Sequence, residues 1–477
     1  MVTTTAANAL LAGLPSKIEG LDDADFDLLK SAYAVWRDKR PRNMLRTVYF
    51  EGKMPLKNLG ISTPGGVASR VRAVLSWPAK AVTSLSQRSV FDGFVSPSGS
   101  PDPLGLEEVL EANRFDLELP QAIESSYKHS CSFFTITRGD TQAGEPAQLL
   151  MPRSAEWSAG LWDRRRREMS GLLAITDIDS DGFVSEMVFY TPFNVITMRK
   201  RPLKGWVAEY AAHGMATLPA EPIIWSPQVD RPFGRSRISR AVMSITDNAL
   251  RTIVRTEVSA EFYAAPRMAA LGLAQEAMGK GKWEMAIDRF LAVTRDEDGN
   301  VPDVKQFPQM TMQPLVELYR SYAAQFSSET GVAISSLGIV QDNPPSAEAM
   351  YAAEKDLISE ANSANRVHSA SLRRLAQKIV AARPHSPADM EEARKLDVTW
   401  VNPAFTSPTT AANALVQLNA VFPWLSESET ALRFAGFSGS EVTRLLADKR
   451  RVEGPGLLGQ ILARREAEQV NDGDDQS

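Results

Sequence analysis

Hydrophobic positions along the chain alternate between helical and extended spacing. Phe26, Leu28, Leu29, Ala32 and Trp36 predict a helix over Asp22–Lys39. A turn-rich stretch, Asn58–Gly66, follows. Further helices are predicted over Pro78–Arg88 and over Pro101–Leu117, the latter with Asp102 and Pro103 near its start. Leu119–Gly139 reads as a helix and then a strand at Ser132–Thr137. The spacing then changes. Gly171–Thr176, Val184–Tyr190, Asn194–Arg199 and Gly205–Tyr210 are short apolar runs typical of strands. A polar turn, Asp177–Gly182, joins the first two. The N-terminal part is thus expected to be α+β with an antiparallel sheet.

After Pro232 the helical period returns. Ile238, Val242, Ile245, Ala249, Ile253 and Ala260 form one stripe over Arg237–Phe262, a helix of ~39 Å. Residues Ala264–Met310 form an insert punctuated by Gly and Pro, expected to hold short strands. Pro314 opens a second helix, striped by Leu315, Leu318, Tyr322 and Phe326 and stopped at Gly331. An irregular segment, Val332–Pro345, leads to Ser346, a cap for a third helix that Pro384 ends, ~57 Å long. A strand at Asp397–Val401 and small helices complete the chain. Ser426 with Glu429, and Ser438 with Glu441, fit capping boxes. The acidic tail Glu466–Ser477 is expected to be disordered.

Composition narrows the function classes. Lys+Arg 53 against Asp+Glu 58 gives a net charge of -5, which argues against a basic nucleic-acid coat protein. One cysteine and four histidines leave no basis for a disulfide framework or a His/Cys metal cluster. Met1–Ala12 lacks the basic start of a signal peptide, and no run reaches the ~18 apolar residues of a membrane span, so a reducing cytoplasm is expected. Asp177, Asp179 and Asp181 open like a calcium loop, but Val188 stands where the bidentate Glu belongs. Arg164–Arg167 is a solvated charged face or a contact for phosphate or an acidic surface. His129 and Cys131 lack a third group and read as ordinary packing residues. Gly454–Gly459 opens no βαβ unit, and no P-loop or hydrolase motif occurs. No catalytic residue, metal site or cofactor is indicated.

Three local patterns carry a resemblance. The first is Tyr49-Phe-Glu-Gly52, then Leu56–Gly60, Trp77-Pro-Ala-Lys80 and Gln87-Arg88. The second is Pro232-Phe-Gly-Arg-Ser-Arg-Ile238, Asp247 and Ala265-Pro-Arg267. The third is Gln325–Thr330, Gly331–Gly338 and Asn343–Ala349. In their order and spacing the chain resembles the portal proteins of long-tailed double-stranded-DNA bacteriophages, from about Tyr49 to Arg450.

The resemblance implies a mainly helical α+β portal fold in a ring of about twelve copies. The wing would be 1–229, returning at 384–405 as a strand. The stem would be 230–262 (helical from Arg237) and 314–330, with the clip, 263–313, between them. The tunnel loop would be 331–345, the long wing-to-crown helix 346–383 and the crown 406–451. A terminal helix and the acidic tail, 452–477, would follow. Val332, Gln341, Asp342 and Asn343 would face DNA from the tunnel loop. Arg237, Arg240, Arg251 and Arg255 would belong to the stem, in contacts between subunits or toward DNA. Lys280, Lys282 and Trp283 would dock the packaging motor or tail adaptor. The implied partners are further copies of the chain, double-stranded DNA, the terminase large subunit, a head–tail adaptor, the major capsid protein and scaffold. The implied place is the capsid portal vertex of the virion, with assembly in the host cytoplasm. Mild acidity suits a conduit, because many Lys/Arg–phosphate contacts would act as a brake. A head–tail adaptor or other capsid-assembly protein is the alternative. A packaging nuclease or motor subunit would need a motif that the chain lacks.

Overall fold

The computed structural model describes residues 13–57, 71, 73–97, 102–264, 268–271, 303–306, 311–339, 347–404 and, in pieces, 408–451. The chain divides into two units, Met1–Trp400 and Val401–Ser477.

In the first unit, α1 (Asp23–Phe50) precedes α2 (Trp77–Ser86), β1 (Phe91–Val95), α3 (Leu106–Ala112) and α4 (Phe115–His129). Eight strands follow: β2 (Cys131–Arg138), β3 (Gln148–Ser154), β4 (Ser158–Asp163), β5 (Glu168–Ile178), β6 (Val184–Tyr190), β7 (Asn194–Arg201), β8 (Gly205–Ala212) and β9 (Ala220–Ile224). Strands β4 to β8 form an antiparallel meander, and β3-β2-β9 form a second antiparallel sheet.

Alternation along β5 explains how these layers stack. Leu173 and Ile175 join α1 residues Leu29, Ala32 and Trp36 in one core. Leu172 and Ala174, on the opposite face, join Phe133, Ala220 and Ile224 of the smaller sheet in another. The five-stranded sheet is therefore covered on both faces. Strand β2 is a seam: Phe133 faces that second core, while Phe134 and Ile136 enter the third and largest.

The largest core is helical. It is built on α5 (Arg240–Ala264), α6 (Gln313–Thr330) and α7 (Ala347–Ala381), with α2, α4 and the pair β1–β12 (Asp397–Trp400) around it. Between α5 and α6, β10 (Met268–Leu271) pairs antiparallel with β11 (Asp303–Gln306), as expected of an insert with short strands. Gly331 ends α6 at φ 65°, a left-handed stop that suits glycine.

Several elements differ from the pattern-based expectation. Helix α1 runs eleven residues further, through Pro41, because its buried face turns polar after Trp36. Arg40 and Asn43 are buried there, so the hydrophobic stripe stops while the helix does not. The helix expected over Pro101–Leu117 breaks at Arg114, φ 49°. Asn113 staples that break to β3: its side chain accepts the Leu150 N–H at 2.8 Å and donates to Gln148 O at 2.8 Å. The segment expected to return as a strand contains α8 (Pro387–Lys395), capped by Ser386 and Asp389. Strand β9 escaped the pattern because it carries Glu221 and Pro222, which its edge position tolerates.

In the second unit, α9 (Pro408–Val421) is the longest helix among the described residues. Both capping-box expectations and the acidic tail fall at least partly outside the described residues.

Candidate functional site

The described parts of the three sequence patterns are far apart along the chain and meet in space around α5 and α6, within the first unit. The approach to α5 is the tightest part. Gly234 sits at φ 73°, and a Cβ there would lie 1.9 Å from Trp225 O, so only glycine fits. The following residues are strapped to the end of α4: Arg237 N–H donates to Tyr127 O at 2.8 Å, and Ser236 Oγ donates to Lys128 O at 2.5 Å. Ser239 Oγ then accepts the Val242 N–H at 3.1 Å and starts the helix.

This strap delivers Arg237 into the core, 7% exposed. Its Nε donates to Ala81 O on α2 at 2.5 Å. Its Nη2 donates to Thr330 O at the end of α6, and its Nη1 pairs with Glu360 on α7. One guanidinium thus ties the start of α5 and the end of α6 to α2 and α7. Next to it, Trp77 packs its ring against Tyr319 and Phe326 of α6, with centroids 5.3 and 5.2 Å apart.

A second polar contact fixes α5 about two turns into the helix. Asp247 is buried and accepts the Tyr49 hydroxyl at 2.8 and 2.9 Å. Lys57 closes the triad from the surface, 2.5 Å from Asp247 Oδ2, and this pairing raises the lysine pKa. Burial raises the Tyr49 pKa, so the phenol stays a donor to the carboxylate. At the C-terminal end of α6, Ser239 Oγ donates to Glu329 at 3.1 Å. Arg88 pairs with Glu354 of α7 at 2.7 Å.

The expected site residues are distributed unevenly around this junction. Arg237 precedes α5 rather than lying on it, and it is buried within its own chain, where the expectation put it between subunits or toward DNA. The polar acceptors around it explain why an arginine can sit there. Val332 is also corrected. It is 1% exposed, packed in the largest core with Leu337, because the chain after Gly331 turns inward through a short helical turn at Ile334–Leu337. Arg240 is exposed, and Arg251 and Arg255 are half-buried on α5. Arg251 donates to Lys57 O at 3.3 Å and to Asn248. Gln341, Asp342, Asn343, Lys280, Lys282 and Trp283 lie outside the described residues. Sequence reasoning missed Lys57 and Glu360 as partners. Neither carries a local signal, since each acts on a residue more than 100 positions away.

The other candidates are structural. Asp179 Oδ1 accepts the N–H groups of Asp181 and Phe183 and closes a hairpin turn. Among the described residues no group of acidic, His or Cys side chains is placed to hold a metal ion. Cys131 is buried, and burial pushes its thiol up to about 12. His129 is buried next to Thr47 and Glu156, and desolvation holds its pKa well below the usual range. No described helix is long and apolar enough to cross a membrane.

A family model described as phage portal protein, SPP1 Gp6-like, matches residues 29–450. The chain is 24% identical over 471 residues to the portal protein of Mycobacterium phage D29, covering 95% of this chain and 94% of that one. It is 23% identical over 432 residues to the portal protein of Mycobacterium phage L5, covering 87% of each. Among solved structures it is similar to a chain of the virion of a native gene transfer agent particle. That match has a TM-score of 0.41 and 14% identity, over 88% of this chain and 94% of the other.

Proposed function

This chain belongs to the SPP1 Gp6-like phage portal family, and from that premise we propose how its junction serves a portal. The chain is a structural protein of the virion capsid. In the proposed assembly, about twelve copies close into a ring by heterologous contacts. Helices α5 and α6 line or brace a channel for double-stranded DNA. The insert between them, with Lys280, Lys282 and Trp283, meets the terminase large subunit during packaging and a head–tail adaptor afterwards. Gln341, Asp342 and Asn343 approach the duplex from the tunnel loop. Arg240, Arg251 and Arg255 belong to the stem, either between subunits or toward DNA. Major capsid protein and scaffold contact the ring, which forms in the host cytoplasm.

The observation that supports this reading is the clamp at Arg237. A portal stem must transmit load between motor and capsid without splaying its helices. One buried guanidinium binding α2, the end of α6 and α7 together provides that stiffness. The carbonyl of Thr330 lies one residue before Gly331, so the tunnel-loop base is held by the same clamp.

Native mass spectrometry and class-averaged electron micrographs of the full chain test the proposal. A closed ring of about twelve subunits with a hole of duplex width is the expected result. A chain that stays monomeric even with scaffold and capsid protein present would remove it and favour an adaptor role.

A further inference from the structure

The four consecutive arginines, Arg164–Arg167, take no part in the junction. They form the turn between β4 and β5, and all four are exposed. The turn closes without their side chains. Asp163 Oδ1 accepts the backbone N–H groups of Arg165 and Arg166 at 2.8 and 3.0 Å, and this lowers its pKa. Arg167, at φ 56°, donates its N–H to Asp163 O at 2.8 Å.

Among the described residues Arg164, Arg165 and Arg167 make no ion pair, and Arg166 makes one, 3.7 Å from the exposed Glu168. Other basic residues of the same sheet are matched: Arg199 with Glu186 at 2.5 Å, Arg201 with Glu209 at 2.9 Å, Lys200 with Asp179 at 3.7 Å. Four adjacent like charges repel one another, and here the fold gains nothing from them.

The tip also lacks an apolar anchor. The nearest large ring, Trp162, turns inward against Phe233, with centroids 5.5 Å apart. Protein–protein interfaces centre on such anchors and are depleted of charge at their core. A surface of four guanidinium groups, with Glu168 as the adjacent exposed carboxylate, suits a partner that is a line of phosphates, which guanidinium binds in bidentate fashion.

We propose that the β4–β5 hairpin tip is a sequence-independent contact for the phosphate backbone of duplex DNA, separate from the stem residues named above. It stands apart from the channel reading, and either can fail alone.

The test uses the full-length protein and a fluorescent random-sequence duplex, with affinity followed against salt. Each phosphate contact adds about 0.9 to the slope of log affinity on log salt. The combined variant Arg164→Gln, Arg165→Gln, Arg166→Gln and Arg167→Gln is expected to flatten that slope by about 2–4 and to weaken binding at least ~10-fold at low salt. The same four positions changed to Lys should keep most of the slope. An unchanged slope in the Gln variant overturns the proposal. So does a loss confined to Arg240→Gln, Arg251→Gln and Arg255→Gln, which would assign the binding to the stem. Loss of binding to polyglutamate with duplex binding intact would assign the tip to an acidic protein surface and equally overturn it.

Discussion

Among the described residues two arginines are buried, and the regions around them use the charge in opposite ways. At the junction of α5 and α6, Arg237 spends its donors on Ala81 O, Thr330 O and Glu360. Under the five-stranded sheet, Arg40 is 0% exposed and its guanidinium nitrogens have no hydrogen-bond partner among the described residues. Arg40 instead lies flat on Trp157, 3.7 Å from the ring centroid, with Trp36 at 5.1 Å. Burial pushes its pKa down, and Glu156 offsets part of that cost. A hydrogen-bonded cation specifies where several elements sit. A stacked cation fills a slot that an apolar side chain could also fill.

The largest test of that contrast is Arg237→Met. It strands Glu360 and two carbonyls, and breaking such a pair costs about 3–5 kcal/mol. Urea unfolding should show the loss, and ring formation should fall with it. Arg237→Lys should recover only part, because a point charge cannot reach all three acceptors.

A pH effect comes next. His368 is fully buried between the rings of Tyr127 and Trp400, and desolvation holds its pKa at about 4 against an ordinary 6.5. The unfolded chain therefore binds the proton first. The neutral imidazole contributes stability that is complete above pH ~6.5 and is lost as pH falls towards about 4, about 3 kcal/mol in all. His129 shifts in the same direction. Urea midpoints at pH 7.5 and 5 should diverge in the wild type and diverge less in His368→Phe, the remainder belonging to His129. Equal divergence in both would shift the effect to His129.

Tyr49→Phe removes a donor to buried Asp247 and should cost about 2 kcal/mol. Lys57→Ala should cost less, since the lysine is largely exposed. The smallest effect belongs to Arg40→Met, within about 1 kcal/mol of wild type or more stable. If Arg40→Met proved as costly as Arg237→Met, the distinction between the two regions would collapse.

What the sequence made legible follows the same physics. Helices α5, α6 and α7 were readable because apolar stripes run between clear stops: Pro314, Gly331 and Pro384. The hairpins of the larger sheet were readable for their apolar runs and polar turns. Polar burial hid the rest. Arg40 and Asn43 on the inner face of α1 look like surface residues, and Glu221-Pro222 does not look like a strand. At the junction, Tyr49, Trp77, Asp247, Phe326 and Thr330 all fall within the three patterns. Their meeting was invisible, because Tyr49 and Asp247 are 198 positions apart. Arg237 was read as a contact between subunits or toward DNA, since no rule of local spacing marks a residue that a glycine turn folds inward.

The buried edge strand β9 has a further consequence, for the order of synthesis. Glu221, 3% exposed, is neutralised by Arg374 and Lys378 of α7, the first of them 153 positions later. At 5–20 residues per second, a ribosome takes on the order of 10 seconds to cover that distance. During that interval the nascent sheet carries a carboxylate that cannot be sealed in the core. On this ordering the N-terminal layers should close only once the long helix emerges, and a chain truncated before Arg374 should be cut by protease more readily than the full chain.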